Sequence, residues 1–214
     1  MTNIGLLGDV SVGKTSILRM FLYYVNTEKA RFAEICNGRS IDIAIVDFSG
    51  ESTIDKERGV TEKETKTIHP NRVGFKDLQK NKNYQIFAPG GDRYEAVVRL
   101  GIITISRISQ EIIVVFSLGR VLKRQFKFFD KIRHFPDEIY LCFNKVDLHE
   151  VENPQEMESA SDEIKFKAII DQVEEYFLKR NIKVKDTFFT CAELIDGYRR
   201  HNENISRMFL NITK

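Results

Sequence analysis

Eight residues near the amino end, Gly8-Asp9-Val10-Ser11-Val12-Gly13-Lys14-Thr15, constrain this chain more than any other stretch. They follow the short apolar run Ile4 to Leu7 and open a segment, Lys14 to Tyr24, in which Ile17, Leu18, Phe21 and Leu22 recur at helical spacing. Strand, glycine-bearing turn and helix make the first half of a βαβ unit. The spacing GxxxxGK[ST] has a physical purpose. Its glycines permit the dihedrals of a tight wrap, its backbone N–H groups point at phosphate oxygens, and the helix N-terminus adds partial positive charge. The sequence therefore predicts that Gly8, Asp9, Val10, Ser11, Val12 and Gly13 cradle phosphates, with Ser16 completing the contact set. Lys14 reaches the β- and γ-phosphates as the catalytic cation, and Thr15 offers its hydroxyl to Mg²⁺.

The rest of the chain reads as alternating strands and helices. Ile41 to Val46 is strand-like, and Arg72 to Leu78 with Tyr84 to Ala88 reads as two strands around the polar turn 79–83. A helix is expected from Arg93 to Ser106. Glu111 to Ser117 is a nearly continuous apolar strand, which implies burial on both faces. A helix from Val121 to His134, a strand from Glu138 to Phe143 and a helix from Asp162 to Arg180 follow. A strand from Asp186 to Thr190 and a last helix from Leu194 to Ile212 close the pattern. This order predicts an α/β fold, a doubly wound and mostly parallel sheet with helices on both faces. One domain over 1–214 is expected, with an insertion at about 28–64 where the pattern loosens.

Composition narrows the setting. With 33 basic and 31 acidic residues the formal net charge is +2, so nothing drives the whole chain toward nucleic acid or a membrane surface. The basic helix Val121 to His134 carries Phe126, Phe128 and Phe129, and is read as amphipathic, phenylalanines inward and charges solvated, with no nucleic-acid partner expected. Cys36, Cys142 and Cys191 are widely spaced and show neither disulfide nor metal-ligand patterning. A reduced, cytoplasmic setting is expected, without a signal peptide, lipidation motif or intrinsic membrane anchor.

A second motif selects the base. Asn144-Lys145-Val146-Asp147 fits NKxD at the end of the expected strand Ile139 to Phe143, where doubly wound sheets bind ligands. A carboxylate at Asp147 accepts from the N1–H and the exocyclic amine of guanine, two donors that adenine lacks there, so the wrong base would leave it unpaired. Asn144 tethers neighbouring loops, and the Lys145 stem lies against the base.

With Thr190-Cys191-Ala192-Glu193 following in order, the chain resembles the Ras-like small GTPases over essentially its whole length apart from the insertion. The resemblance implies a P-loop GTPase G domain that binds GTP or GDP with Mg²⁺ and acts as a molecular switch, with a protein effector and an activating protein as partners. It also implies that Cys191, Ala192 and Glu193 complete the base site, the Ala192 N–H meeting the guanine carbonyl.

Departures from the family are informative. Where the family has DxxG and then Gln, this chain has Phe87-Ala88-Pro89-Gly90-Gly91. Gly90 is kept for the γ-phosphate, Phe87 replaces the Asp and Gly91 replaces the Gln. This variant resembles prokaryotic Ras-like GTPases of the gliding-motility type and similar archaeal proteins. Loss of the Asp removes an outer acceptor from the Mg²⁺ shell, and loss of the Gln removes a water-positioning group. Val10 stands where many members have Gly, and crowds an incoming arginine. Slow, partner-dependent hydrolysis is expected. Asp47-Phe48-Ser49-Gly50 also spells DxxG but falls outside the family order, although Asp47 is a candidate for the missing carboxylate. The switch threonine, ligating Mg²⁺ and sensing the γ-phosphate, is assigned to Thr67, with Thr65 as the second choice.

Overall fold

The computed structural model describes residues 1–48, 70–90, 95–149 and 161–213, without the side chains of 95–99. Thr65, Thr67, Gly91 and residues 150–160 lie outside these residues.

Seven strands form one sheet in the order β2-β3-β4-β1-β5-β6-β7. They are β1 Thr2–Leu7, β2 Ile41–Asp47, β3 Asn71–Asp77, β4 Lys82–Ala88, β5 Glu111–Ser117, β6 Glu138–Asn144 and β7 Lys183–Thr190. Strands β4, β1, β5, β6 and β7 run parallel, while β3 is antiparallel to both β2 and β4. The helices are α1 Lys14–Asn26, α2 Lys29–Ile35, α3 Glu95–Ile108, α4 Leu122–Phe129, α5 Asp162–Lys165, α6 Lys167–Leu178 and α7 Arg199–Ile212. The expected α/β class, mostly parallel and covered on both faces, is the observed one.

Alternation along β5 explains its unbroken apolar run. Ile113 and Val115 join Ile17, Leu18 and Phe21 of α1 and Met208 and Phe209 of α7 on one face. Ile112, Val114 and Phe116 join Ile105 of α3, Phe129 of α4 and Phe177 of α6 on the other. Gly5 of β1 lies under α3, where an added Cβ would fall 2.7 Å from both Ile105 Cγ2 and Ser109 Oγ. That close approach explains the glycine.

The segment read as a loose insertion contains order. Helix α2 packs beside α1 and α7, and β2 extends the sheet past β3, with Ile41 and Ile43 against the α1-side core. Arg39 fastens it: its guanidinium pairs with buried Asp77 and donates to the Leu210 carbonyl at 2.7 Å and Thr213 Oγ1 at 3.0 Å. Burial pushes the Asp77 carboxyl up, but the bonds from Arg39 and from the Lys80 and Gln79 amides outweigh this and hold it below the usual range.

Three helices differ from expectation. The helix expected to reach His134 stops at Phe129, because Ile132 turns into the core and Arg180 takes the Phe129 and Ile132 carbonyls at 2.9 and 2.7 Å. The helix expected over 162–180 breaks at Phe166, whose ring is buried in a stack on Phe189 at 5.2 Å. The last helix starts at Arg199 rather than Leu194, since Gly197 has φ +84° and Leu194 and Ile195 are exposed. The phenylalanines of α4 do turn inward, with Phe129 buried and Phe126 stacked on Tyr176 at 4.4 Å. Among the described residues no helix is long and apolar enough to cross a membrane.

Phe116 meets the rings of Phe126, Phe129, Phe143 and Phe177, with centroids 5.1 to 6.4 Å away. Phe116→Ala is expected to lower unfolding free energy by about 3–5 kcal/mol in urea titration. A loss below about 1 kcal/mol would show that this cluster does not organise the α4–α6 side.

Candidate nucleotide site

The parallel strands β1, β5, β6 and β7 deliver their C-terminal ends to one edge, and the motif residues sit on the loops that leave them. Gly8 leaves β1 so close to β5 that an added Cβ would lie 2.5 Å from the Val115 carbonyl oxygen. Ser11 at φ +63° and Gly13 at φ +98° reverse the hand of the chain twice. Such reversals shape a concave row of backbone N–H groups. Gly13 caps α1 with no side-chain hydrogen bond, which leaves the first-turn amides for a ligand.

Lys14 spans the loop. Its Nζ donates to the Gly8 carbonyl at 2.8 Å and the Asp9 carbonyl at 2.9 Å, and the residue is 9% exposed. Burial lowers its pKa to about 8, against the opposing pull of the Asp9 carboxylate. A cavity of about 230 Å³ is lined by Gly8, Val10, Ser11, Gly13, Lys14, Thr15 and Ser16 on one side and by Pro89 and Gly90 on the other. The structure thus brings Gly90 to the phosphate loop. Val12 is buried in the α1-side core, where its side chain secures the loop, and Val10 is 39% exposed at the rim.

The residues of the NKxD motif are tied to this loop directly. Asn144, at the end of β6 and buried, donates from Nδ2 to the Val12 carbonyl at 2.9 Å, and its Oδ1 accepts from Thr190 Oγ1 at 3.0 Å. A Cβ on Gly13 would lie 2.2 Å from Asn144 Nδ2, so the second loop glycine is also what admits this contact. Lys145 takes φ +64° and turns the chain into the short 3₁₀ turn Val146–Leu148 that carries Asp147. Across from it the Cys191 thiol donates to Asp147 Oδ1 at 3.2 Å. Burial raises the Cys191 pKa to about 12, more than its bond with the Glu193 backbone lowers it, so the sulfur keeps its proton. Ala192 and Glu193 follow on the same loop, whose carbonyls at Cys191 and Glu193 accept from Asn202 Nδ2 at 2.6 and 2.8 Å.

Several contributors had no signal in the motifs. Asn202, from α7, holds the 191–193 loop. Gln125 clamps the end of β5 through both Ser117 backbone groups, at 2.8 and 2.9 Å. Arg120 donates to the Val10 carbonyl and, with Arg124, faces the Asp9 carboxylate at 3.8 and 4.0 Å. Asn71, at the start of β3, donates to Thr15 Oγ1 at 3.1 Å. Phe87 is 9% exposed and packs in the α3-side core, and Asp47 stands opposite Arg72 at the sheet edge.

Among the described residues no group of three or more His, Cys, Asp or Glu side chains could hold a metal ion. A cation here would take few protein oxygens, Thr15 Oγ1 first, and the rest from phosphates and water. That is the habit of Mg²⁺ at phosphate sites.

No protein-family profile matches the chain, and no curated protein matches it. Among solved structures, a bacterial selenocysteine-specific elongation factor, EF-Sec, is similar over 100% of this chain and 28% of its own length, at 12% identity with a TM-score of 0.52. A mutation variant of SsGBP is similar over 97% of this chain and 56% of its own, at 13% identity with a TM-score of 0.48. The chain therefore spans well under two thirds of either protein. The first likeness is one of fold, a mostly parallel α/β sheet with helices on both faces.

A phosphate chain held in this cavity would favour charged Lys14 and raise its pKa from about 8. Binding of GDP above about pH 8 is then expected to take up a proton, and affinity to fall by up to about tenfold per pH unit toward pH 10. Calorimetry at pH 9 in two buffers of different ionisation heat measures that uptake. Identical heats in both, with constant affinity from pH 7 to 9.5, would contradict it.

Proposed function

We propose that this chain binds GTP and GDP with Mg²⁺, hydrolyses GTP slowly, and acts as a molecular switch toward a protein effector. The observation that carries the reading is the hydrogen bond from Asn144 to the Val12 carbonyl at 2.9 Å, which joins an NKxD loop to a phosphate loop in one site. A polar loop that matched NKxD by chance would have no reason to be fastened there.

The roles follow from the chemistry of each group. The loop Gly8 to Gly13 and the α1 N-terminus bind the phosphates through backbone amides, and Lys14 supplies the charge that stabilises the transferring phosphoryl group. Thr15 would hold Mg²⁺ through its hydroxyl, and the ion would supply positive charge to the phosphates. Asp147 reads guanine while the Cys191 thiol donates to its Oδ1, and the Ala192 amide meets the base carbonyl. Thr67 is the second proposed Mg²⁺ ligand and the sensor of the γ-phosphate. With Gly90, which lines the phosphate cavity, it would be held in the GTP state and released on hydrolysis. Slow turnover follows from Phe87 and Gly91, which bring neither a carboxylate nor a water-orienting amide. The single domain with its insertion belongs to the same proposal.

A second reading is a guanine-nucleotide-binding scaffold with negligible hydrolysis. It is favoured by Phe87, whose ring is committed to the α3-side core and takes no part in the phosphate cavity.

Asp147→Asn is expected to weaken GDP binding at least about a hundredfold and to shift preference to xanthosine diphosphate, because the amide donates where guanine also donates. Competition binding measures both, and unchanged GDP affinity would refute the base assignment. Single-turnover hydrolysis followed over hours separates the two readings: a slow but measurable rate supports the switch, and none supports the scaffold.

A further inference from the structure

We propose that Asn71 is the positioning residue of the cation shell, its side-chain oxygen supplying the outer acceptor that Phe87 cannot. The inference rests on the nucleotide-site reading above and extends it to a residue outside every motif.

Asn71 opens β3 on the face that α1 covers, since Val73 and Phe75, two and four residues further on, pack in the α1-side core. It is 0% exposed. One half of its amide is used, with Nδ2 donating to Thr15 Oγ1 at 3.1 Å. The other half is not: Oδ1 is buried and has no hydrogen-bond partner among the described residues. A buried amide oxygen is costly to leave unpaired, and such atoms persist where a ligand or water completes them. This one belongs to the same planar group that touches the hydroxyl placed to bind Mg²⁺. Its cross-strand neighbour is Ala88, which carries no polar side chain, and the next residue back, Phe87, packs toward α3. The sheet therefore withdraws polar function from β4 at this point and offers it from β3.

An acceptor oxygen in this place takes a hydrogen bond from the hydration shell of a divalent cation and fixes that shell's orientation. Nδ2 meanwhile keeps the Thr15 oxygen in position. Outer-shell partners of this sort commonly change metal affinity by about 10–100-fold when removed. A neutral amide does this with less attraction than a carboxylate, so the site would hold Mg²⁺ more weakly than one with an acidic partner.

The test compares the whole chain with its Asn71→Ala and Asn71→Asp variants, using a fluorescent GDP analogue titrated with Mg²⁺ and repeated in EDTA. Thermal melting of each nucleotide-free protein runs alongside. Asn71→Ala is expected to raise the Mg²⁺ midpoint about tenfold while leaving affinity in EDTA unchanged. Asn71→Asp, which restores a charged oxygen, is expected to lower the midpoint below that of the parent. A residue that only fastened β3 to α1 would lower the melting temperature and leave the midpoint alone; that result overturns the inference and spares the nucleotide-site reading. Binding that ignores Mg²⁺ in all three proteins also overturns it. Failure of the unaltered chain to bind the analogue at all would sink the nucleotide-site reading, and this inference with it.

Discussion

Much of this site depends on one buried carboxamide. Asn144 stands where β6 ends, between the phosphate loop it donates to at Val12 and the Thr190 hydroxyl it accepts from. Both ends of its amide are satisfied inside the protein, which makes the contact expensive to break and fixes the distance between two loops that leave different strands. The left-handed turn at Gly13 admits that side chain, and the left-handed turn at Lys145 then sends Asp147 toward Cys191.

The sheet makes this arrangement possible. Parallel strands β1, β5, β6 and β7 end on one edge, so loops far apart in sequence meet without long connections. Apolar residues pack against both faces behind that edge, and the two faces divide the labour. On the α1 face Thr15 lines the cavity and Asn71 donates to its hydroxyl, while the α3 face absorbs Phe87. The segment from α2 to β2 extends the sheet on the opposite flank, where β2 lies against β3 and Arg39 secures it to α7 and Asp77.

The parts of this structure legible in the sequence are those fixed by local chemistry. Gly13, Lys14 and Thr15 announce a phosphate loop because so few residues tolerate those dihedrals and supply those groups. The run Glu111 to Ser117 announces a buried strand because both faces must be apolar. What remained hidden depends on distant partners. Asn71 belongs to no motif and gains a role only when α1 is laid over it, and Arg120, Gln125 and Asn202 acquire roles only through strand order. Helix ends depart from the sequence pattern for similar reasons. Leu194 and Ile195 are apolar and mimic a helical face, but Gly197 delays the helix, and the end of α4 is set by Arg180 from another helix. Ile41 to Val46 is recognisable as a strand, but nothing local says that it pairs with β3.

The most direct test is a calorimetric titration of the purified whole chain with GDP and, separately, ADP, each with excess Mg²⁺. A site built from this phosphate loop and this base loop predicts saturable one-to-one binding of GDP and at least about a thousandfold weaker binding of ADP, since adenine offers the Asp147 carboxylate neither of the two donors that guanine brings. Equal affinity for the two, or no heat from either at millimolar concentration with the protein folded, would contradict the account.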